Sequence, residues 1–173
     1  MNRLYTFIVL LIVALSAPVA SNAQDNGGEY KFKTVFIYNF TKYIVWPDDG
    51  NELVIGIYGS NPVVIEAFQR MAAAKTAHSK KLIIKTFPTL AAMEKCHILF
   101  IPYESSDSLG KILGKTKGNN TLVITEKEGM ATAGSCINFI NVDGKLKFEF
   151  NQAVADEQGL KISSQLLGLA ILV

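Results

Sequence analysis

The stretch Leu53-Val-Ile-Gly-Ile-Tyr-Gly-Ser-Asn-Pro-Val-Val-Ile-Glu-Ala-Phe-Gln-Arg-Met-Ala72 decides the fold. Leu53 to Tyr58 is apolar and rich in β-branched residues, too short for a helix, and ended by Gly59. It reads as a strand buried on both faces, at the centre of a sheet. Asn61-Pro62 then starts a helix, with Asn61 as the N-cap and Pro62 in the first turn, where its missing N–H costs nothing. Val64, Ile65, Phe68, Met71 and Ala72 recur at helical spacing and make its buried stripe.

Outward from this unit the alternation repeats. Strands are expected at Lys81–Phe87, His97–Ile101 and Thr121–Thr125. Thr89 caps a short helix through Met93, and Asp107 caps another that carries Leu109, Ile112 and Leu113. Strands separated by helices predict a parallel sheet covered on both faces. The rhythm then changes to Cys136–Val142 and Lys145–Phe150, joined by Asp143-Gly144, the dipeptide of a two-residue hairpin. Leu146, Phe148 and Phe150 alternate with Lys147 and Glu149, so one face is dry. The expected fold is therefore α/β: three layers, a mostly parallel sheet flanked by helices, and a C-terminal antiparallel hairpin at the sheet edge. Leu166, Leu167, Ala170 and Ile171 predict a final helix.

Before the central strand, Phe32, Val35, Phe36, Phe40 and Tyr43 give a helix with an aromatic face, with Ile37 and Tyr38 off the main stripe. It stops near Trp46-Pro47, because proline disfavours helix in the residue before it. Earlier still, Arg3, the apolar run Thr6–Leu15 and the small residues of Ser21-Asn22-Ala23 form the three regions of a secretory signal. Cleavage after Ala23 leaves residues 24–173 as a single domain, exported to the periplasm, with no cysteine at the cut for a lipid anchor and no membrane insertion.

Charge and chemistry exclude several functions. Seventeen Lys and Arg oppose fifteen Asp and Glu, scattered along the chain, which disfavours nucleic acid as a partner. His78 and His97 have no neighbours at metal-ligand spacing, so no metal and no cofactor are expected; His97 reads as a satisfied, partly buried histidine. Gly110 to Thr116 resembles a phosphate loop but holds three residues where four are required, and reads as the end of a helix. The serine pairs Ser105-Ser106 and Ser163-Ser164 lack an elbow, and the acidic pairs Asp48-Asp49 and Asp156-Glu157 sit in turn-like or cap-like positions. No catalytic residues are assigned. Cys96 and Cys136 could be joined in an exported protein, and the sequence does not place their strand ends together; the reading preferred is two unpaired, mostly buried thiols. Aromatic placement points instead to an interface: Tyr38, Tyr43 and Trp46, with Leu166 and Leu167 of the C-terminal segment, are the candidate partner-binding residues. The alternative is a small-molecule sensor using the loops after Gly59, Pro102 and Thr125, at the carboxyl ends of the strands.

Six motifs resemble the YfiR family in order and approximate spacing: Tyr38-Asn-Phe-Thr-Lys-Tyr43 with Trp46-Pro47, Ile55-Gly-Ile-Tyr-Gly59, Cys96-His-Ile-Leu-Phe-Ile101, Ile137-Asn-Phe139, Phe148-Glu-Phe-Asn151 and Leu160-Lys-Ile-Ser-Ser-Gln-Leu-Leu167. The resemblance implies a periplasmic regulator that holds an inner-membrane diguanylate cyclase off through its periplasmic region. An outer-membrane-associated partner would relieve it, and cyclic-di-GMP signalling would be the output. Dimerisation and a redox response are also implied, although members with more cysteines form disulfide pairs that Cys96 and Cys136 do not match in number. Some relatives are implied to serve other membrane sensors, including histidine kinases.

Overall fold

The computed structural model describes residues 26–47, 50–77 and 80–173. The expected signal segment, His78 and the Asp48-Asp49 pair lie outside the described residues. In chain order the elements are α1 (Asn26–Phe40), β1 (Ile44–Val45), β2 (Glu52–Tyr58), α2 (Pro62–Ala74), β3 (Thr76–Ala77), β4 (Lys80–Phe87), β5 (Ile98–Phe100), a 3-10 turn (Tyr103–Ser108), α3 (Leu109–Thr116), β6 (Leu122–Thr125), β7 (Ile137–Val142), β8 (Lys145–Phe150), α4 (Gln152–Glu157), β9 (Lys161–Ile162), α5 (Ser164–Leu167) and β10 (Ile171–Leu172).

Eight strands form one sheet in the order β10-β8-β7-β6-β5-β2-β4-β3. The run β7-β6-β5-β2-β4 is parallel throughout, with β2 between β4 and β5 as its two-sided apolar sequence demands. Period-two alternation divides the core. Leu53, Ile55 and Ile57, with Ile98, Phe100, Leu122 and Ile124, face α1 and α2; Val54, Tyr58, Leu99, Ile101 and Val123 face α3. Cys96 and Cys136 are buried in separate core clusters, both as free thiols.

Local chemistry sets the element ends. Asn61 Oδ1 accepts from the amides of Val63 and Val64 at 3.0 and 3.4 Å, which is the cap expected for α2. Asp143 and Gly144 take φ of +53° and +73°, the left-handed pair that closes a two-residue hairpin. Gly110 and Gly114 lie within α3, so the phosphate-loop lookalike is helix.

Four expectations need correction. Asp107 caps nothing: it pairs with Lys127 at 2.8 Å, and the 3-10 turn runs directly into α3. Thr89 accepts from Ala92 N at 3.3 Å in a turn, without a helix after it. The C-terminal helix is one turn, Ser164–Leu167, after which β10 pairs in parallel with β8. Ile171 and Leu172 pair with Glu149 and Phe150, so a two-residue strand flanks the end of the hairpin at this edge of the sheet.

The fourth correction concerns α1. Its buried face is Tyr30, Lys33, Thr34, Ile37, Phe40 and Thr41, whereas Phe32 and Val35 point to solvent. The helix is rotated from the phase its apolar residues suggest, because three polar side chains are tolerated in the core. Thr34 and Thr41 donate to the carbonyls of Lys31 and Tyr38 at 2.9 and 2.6 Å, and Lys33 is neutralised by Glu126. Ile37, expected off the stripe, is its fully buried centre.

Candidate functional site

This rotation leaves apolar surface on α1 that the core does not use. Phe32 is 64 % exposed. One turn on, Phe36 is only half-buried, and it meets the hairpin edge-on, 6.0 Å from Phe139 and 6.2 Å from Phe148 between ring centroids. Phe40 stacks on Phe139 and lies 4.9 Å from Phe148 beneath it. These aromatic contacts fix α1 against β7 and β8, and the space between helix and hairpin is a groove of about 890 Å³.

Phe32, Phe36, Phe139, Ile140 and Leu146 give the groove its apolar lining. Charge surrounds it: Glu29, Glu126, Glu128 and Glu149 against Lys33 and Lys145. Glu149 is held from below by a relay of buried polar groups. Thr125 donates to Asn138 Oδ1 at 2.8 Å, so Ser135, also at 2.8 Å, must donate to Thr125; Asn138 Nδ2 then donates to Glu149 Oε2 at 2.9 Å.

At one end of the groove lies a buried polar junction. Glu126 Oε2 accepts from Lys33 Nζ at 2.5 Å, while Oε1 accepts from the Tyr30 hydroxyl at 2.9 Å and from Tyr103 N at 2.8 Å. Burial first, and the Glu126 charge second, push the Tyr30 phenol above its ordinary pKa.

The residues assigned to an interface from sequence are scattered. Trp46 is 8 % exposed and donates its indole N–H to the His97 carbonyl at 3.1 Å; Leu166 is fully buried. Both therefore pack the interior, and neither offers a face to a partner in this conformation. Tyr38 is half-buried on the flank of α1 towards α2, with Lys42 Nζ 4.7 Å and Lys75 Nζ 5.7 Å from its ring centroid. Tyr43 and Leu167 are also half-buried, and Tyr43 accepts from Ser163 N beside the small β1–β9 sheet. His97 is satisfied as expected, its Nδ1 accepting from Val54 N at 3.0 Å. Sequence reasoning missed the groove, whose only advance signal was the alternating Leu146, Phe148 and Phe150 opposite an aromatic helix.

Among the described residues no group of three His, Cys, Asp or Glu is placed to hold a metal ion, and no helix is long and apolar enough to cross a membrane. The model of the YfiR/HmsC-like family, DUF4154, matches residues 30–171. The chain belongs to that family. The YfiR/HmsC-like match spans every layer of the fold, from α1 to β10. Among curated proteins none matches the chain. Among solved structures it is similar to a conserved domain protein from Vibrio cholerae O1 biovar El Tor strain N16961, with a TM-score of 0.59 at 13 % identity. The likeness covers 83 % of this chain but 59 % of that one, and it shows a shared fold.

Proposed function

We propose that this YfiR/HmsC-like chain is a periplasmic regulatory binding protein that controls an inner-membrane signalling protein, a diguanylate cyclase or a sensor kinase, by contact with its periplasmic region. The observation that carries the reading is the groove between α1 and the β7–β8 hairpin: apolar lining, charged rim, and Phe32 held in solvent by a helix whose opposite side is core. Exposed aromatic surface of this kind is what interface hot spots are made of. A regulatory binding protein biases a receptor through unequal affinity for the receptor's two states. Export rests on the N-terminal secretory pattern and on the family. Half-buried Tyr38, Tyr43 and Leu167 extend the contact surface, supported from inside by Trp46 and Leu166. A second copy of the chain and an outer-membrane-associated protein are the other partners of this reading, and no catalysis is part of it.

The test is co-purification of the mature chain with the periplasmic region of its candidate client, an inner-membrane diguanylate cyclase or sensor kinase. A complex is expected, weakened at least tenfold or so by Phe32→Glu. No complex with the unaltered chain, or one indifferent to Phe32→Glu and Leu146→Glu together, would overturn the assignment.

A second reading, a small-molecule sensor, is favoured by one observation: Asn61, Tyr103 and Glu126, from the loops after β2, β5 and β6, meet at a single cleft at the carboxyl ends of the strands.

A further inference from the structure

The cleft's position follows from the order of the strands. From β2 the chain crosses through α2 to β4 on one side; from β5, the other neighbour of β2, it crosses through α3 to β6 in the opposite direction. Between β2 and β5 the connections therefore part, and at such switch points open α/β sheets hold ligands. Here the parted loops, roofed by α1, leave a cavity of about 460 Å³, within the range of small-molecule sites.

Its lining has a definite chemistry. Among the described residues, Glu29, Glu104 and Glu126 oppose a single lining cation, Lys33, whose ammonium is already shared between Glu29 and Glu126. Asn61 Nδ2 donates to Glu104 Oε1 at 2.8 Å and so fixes that carboxylate, whose other oxygen accepts no hydrogen bond among the described residues. Tyr103, 60 % exposed, offers an aromatic ring at the mouth and is anchored by its amide to Glu126; Val63 adds apolar surface. One face of the Tyr103 ring already takes a cation from the chain itself, Lys127 Nζ at 5.7 Å from the centroid.

Resting on the sensor reading, we propose that the cleft binds a small organic cation, an ammonium group attached to an apolar or aromatic body. The ammonium pairs with Glu104, and the body lies over Tyr103 and Val63. An anionic ligand would meet two uncompensated negative charges and gain no free cation in return. Glu126 and Lys33 line both this cleft and the partner groove, so a bound cation stands against the wall between them.

Phenethylamine and phenylacetate, matched in size and opposite in charge, test this by titration into the ¹⁵N-labelled protein. Phenethylamine is expected to shift the amides of Val63, Tyr103 and Glu104 saturably, and Glu104→Gln, a surface change, to weaken it roughly tenfold without loss of fold. Saturable shifts of the same amides by phenylacetate, with Glu104→Gln indifferent, would overturn the cationic class while leaving a sensor. Shifts from neither compound up to roughly 10 mM would overturn both.

Discussion

Lys33 Nζ lies 2.5 Å from Glu126 Oε2, joining the first helix to the residue after β6 with side chains only 6 % and 2 % exposed. This pair fixes the rotation of α1 and stands between the groove and the cleft. Removing one partner leaves the other charged in a nearly dry site, a loss of about 3–5 kcal/mol against the 5–15 kcal/mol that stabilise a typical domain. Lys33→Met is therefore expected to lower the urea midpoint sharply. Adding Glu126→Gln, which removes the stranded charge and keeps acceptors for Tyr30 and Tyr103 N, is expected to restore part of the loss. A double variant less stable than Lys33→Met would contradict this account.

The phase of α1 is checked by two phenylalanines. Phe40→Ala empties the aromatic cluster with Phe139 and Phe148 and is expected to cost about 3–5 kcal/mol. Phe32→Glu, on the exposed side, is expected to change stability by no more than about 0.5 kcal/mol. Equal losses in thermal or urea melts would mean that the helix sits in the rotation its apolar pattern suggested.

Gly56 marks the tightest point of the central strand. A Cβ there would stand 2.5 Å from Phe87 Cε2 and 3.1 Å from both Cys96 Sγ and Leu99 Cδ1. With neighbours on three sides, the Phe87 ring has little room to yield. Gly56→Ala is expected to destabilise by about 1–3 kcal/mol, read as a lower urea midpoint with an unchanged slope.

Alkaline pH acts through the thiols. Burial pushes Cys96 up to about 12 and Cys136 up to about 11. In the unfolded chain both lose protons near about 8.5, so above that pH the unfolded state binds fewer protons than the folded state. Their contribution to stability is intact below about pH 8 and is lost as pH rises towards 11 to 12. Melting temperature is expected to fall through this window, and to fall less in the Cys96→Ala/Cys136→Ala variant. At neutral pH a thiol reagent is expected to label either cysteine only after unfolding.

Much of the architecture was legible because it is written in neighbouring residues. The continuous apolar run Leu53–Tyr58, the Asn61-Pro62 cap and the Asp143-Gly144 turn each carry their own local physics, and each appears where expected. What was hidden depends on partners distant in sequence. Nothing near Lys33 announces that Glu126 will neutralise it, so the buried lysine reads as a surface residue and the stripe is placed on the wrong side of the helix. Trp46 reads as an exposed anchor because its hydrogen-bond acceptor, the His97 carbonyl, lies 51 residues on. Leu160 to Val173 has helical spacing, but the open edge of β8 offers backbone partners that one further turn of helix could not. The groove and the cleft belong to this second group, since each is assembled from three or more separated segments.

Cys96 and Cys136 belong to separate core clusters and both are buried free thiols, so this fold carries no bond between them. Maturation of this domain is thus expected to be independent of oxidative folding enzymes. The same structure is expected whether the polypeptide is made in a reducing cytoplasm or delivered to an oxidising space, and reductant should leave its melting temperature where it was.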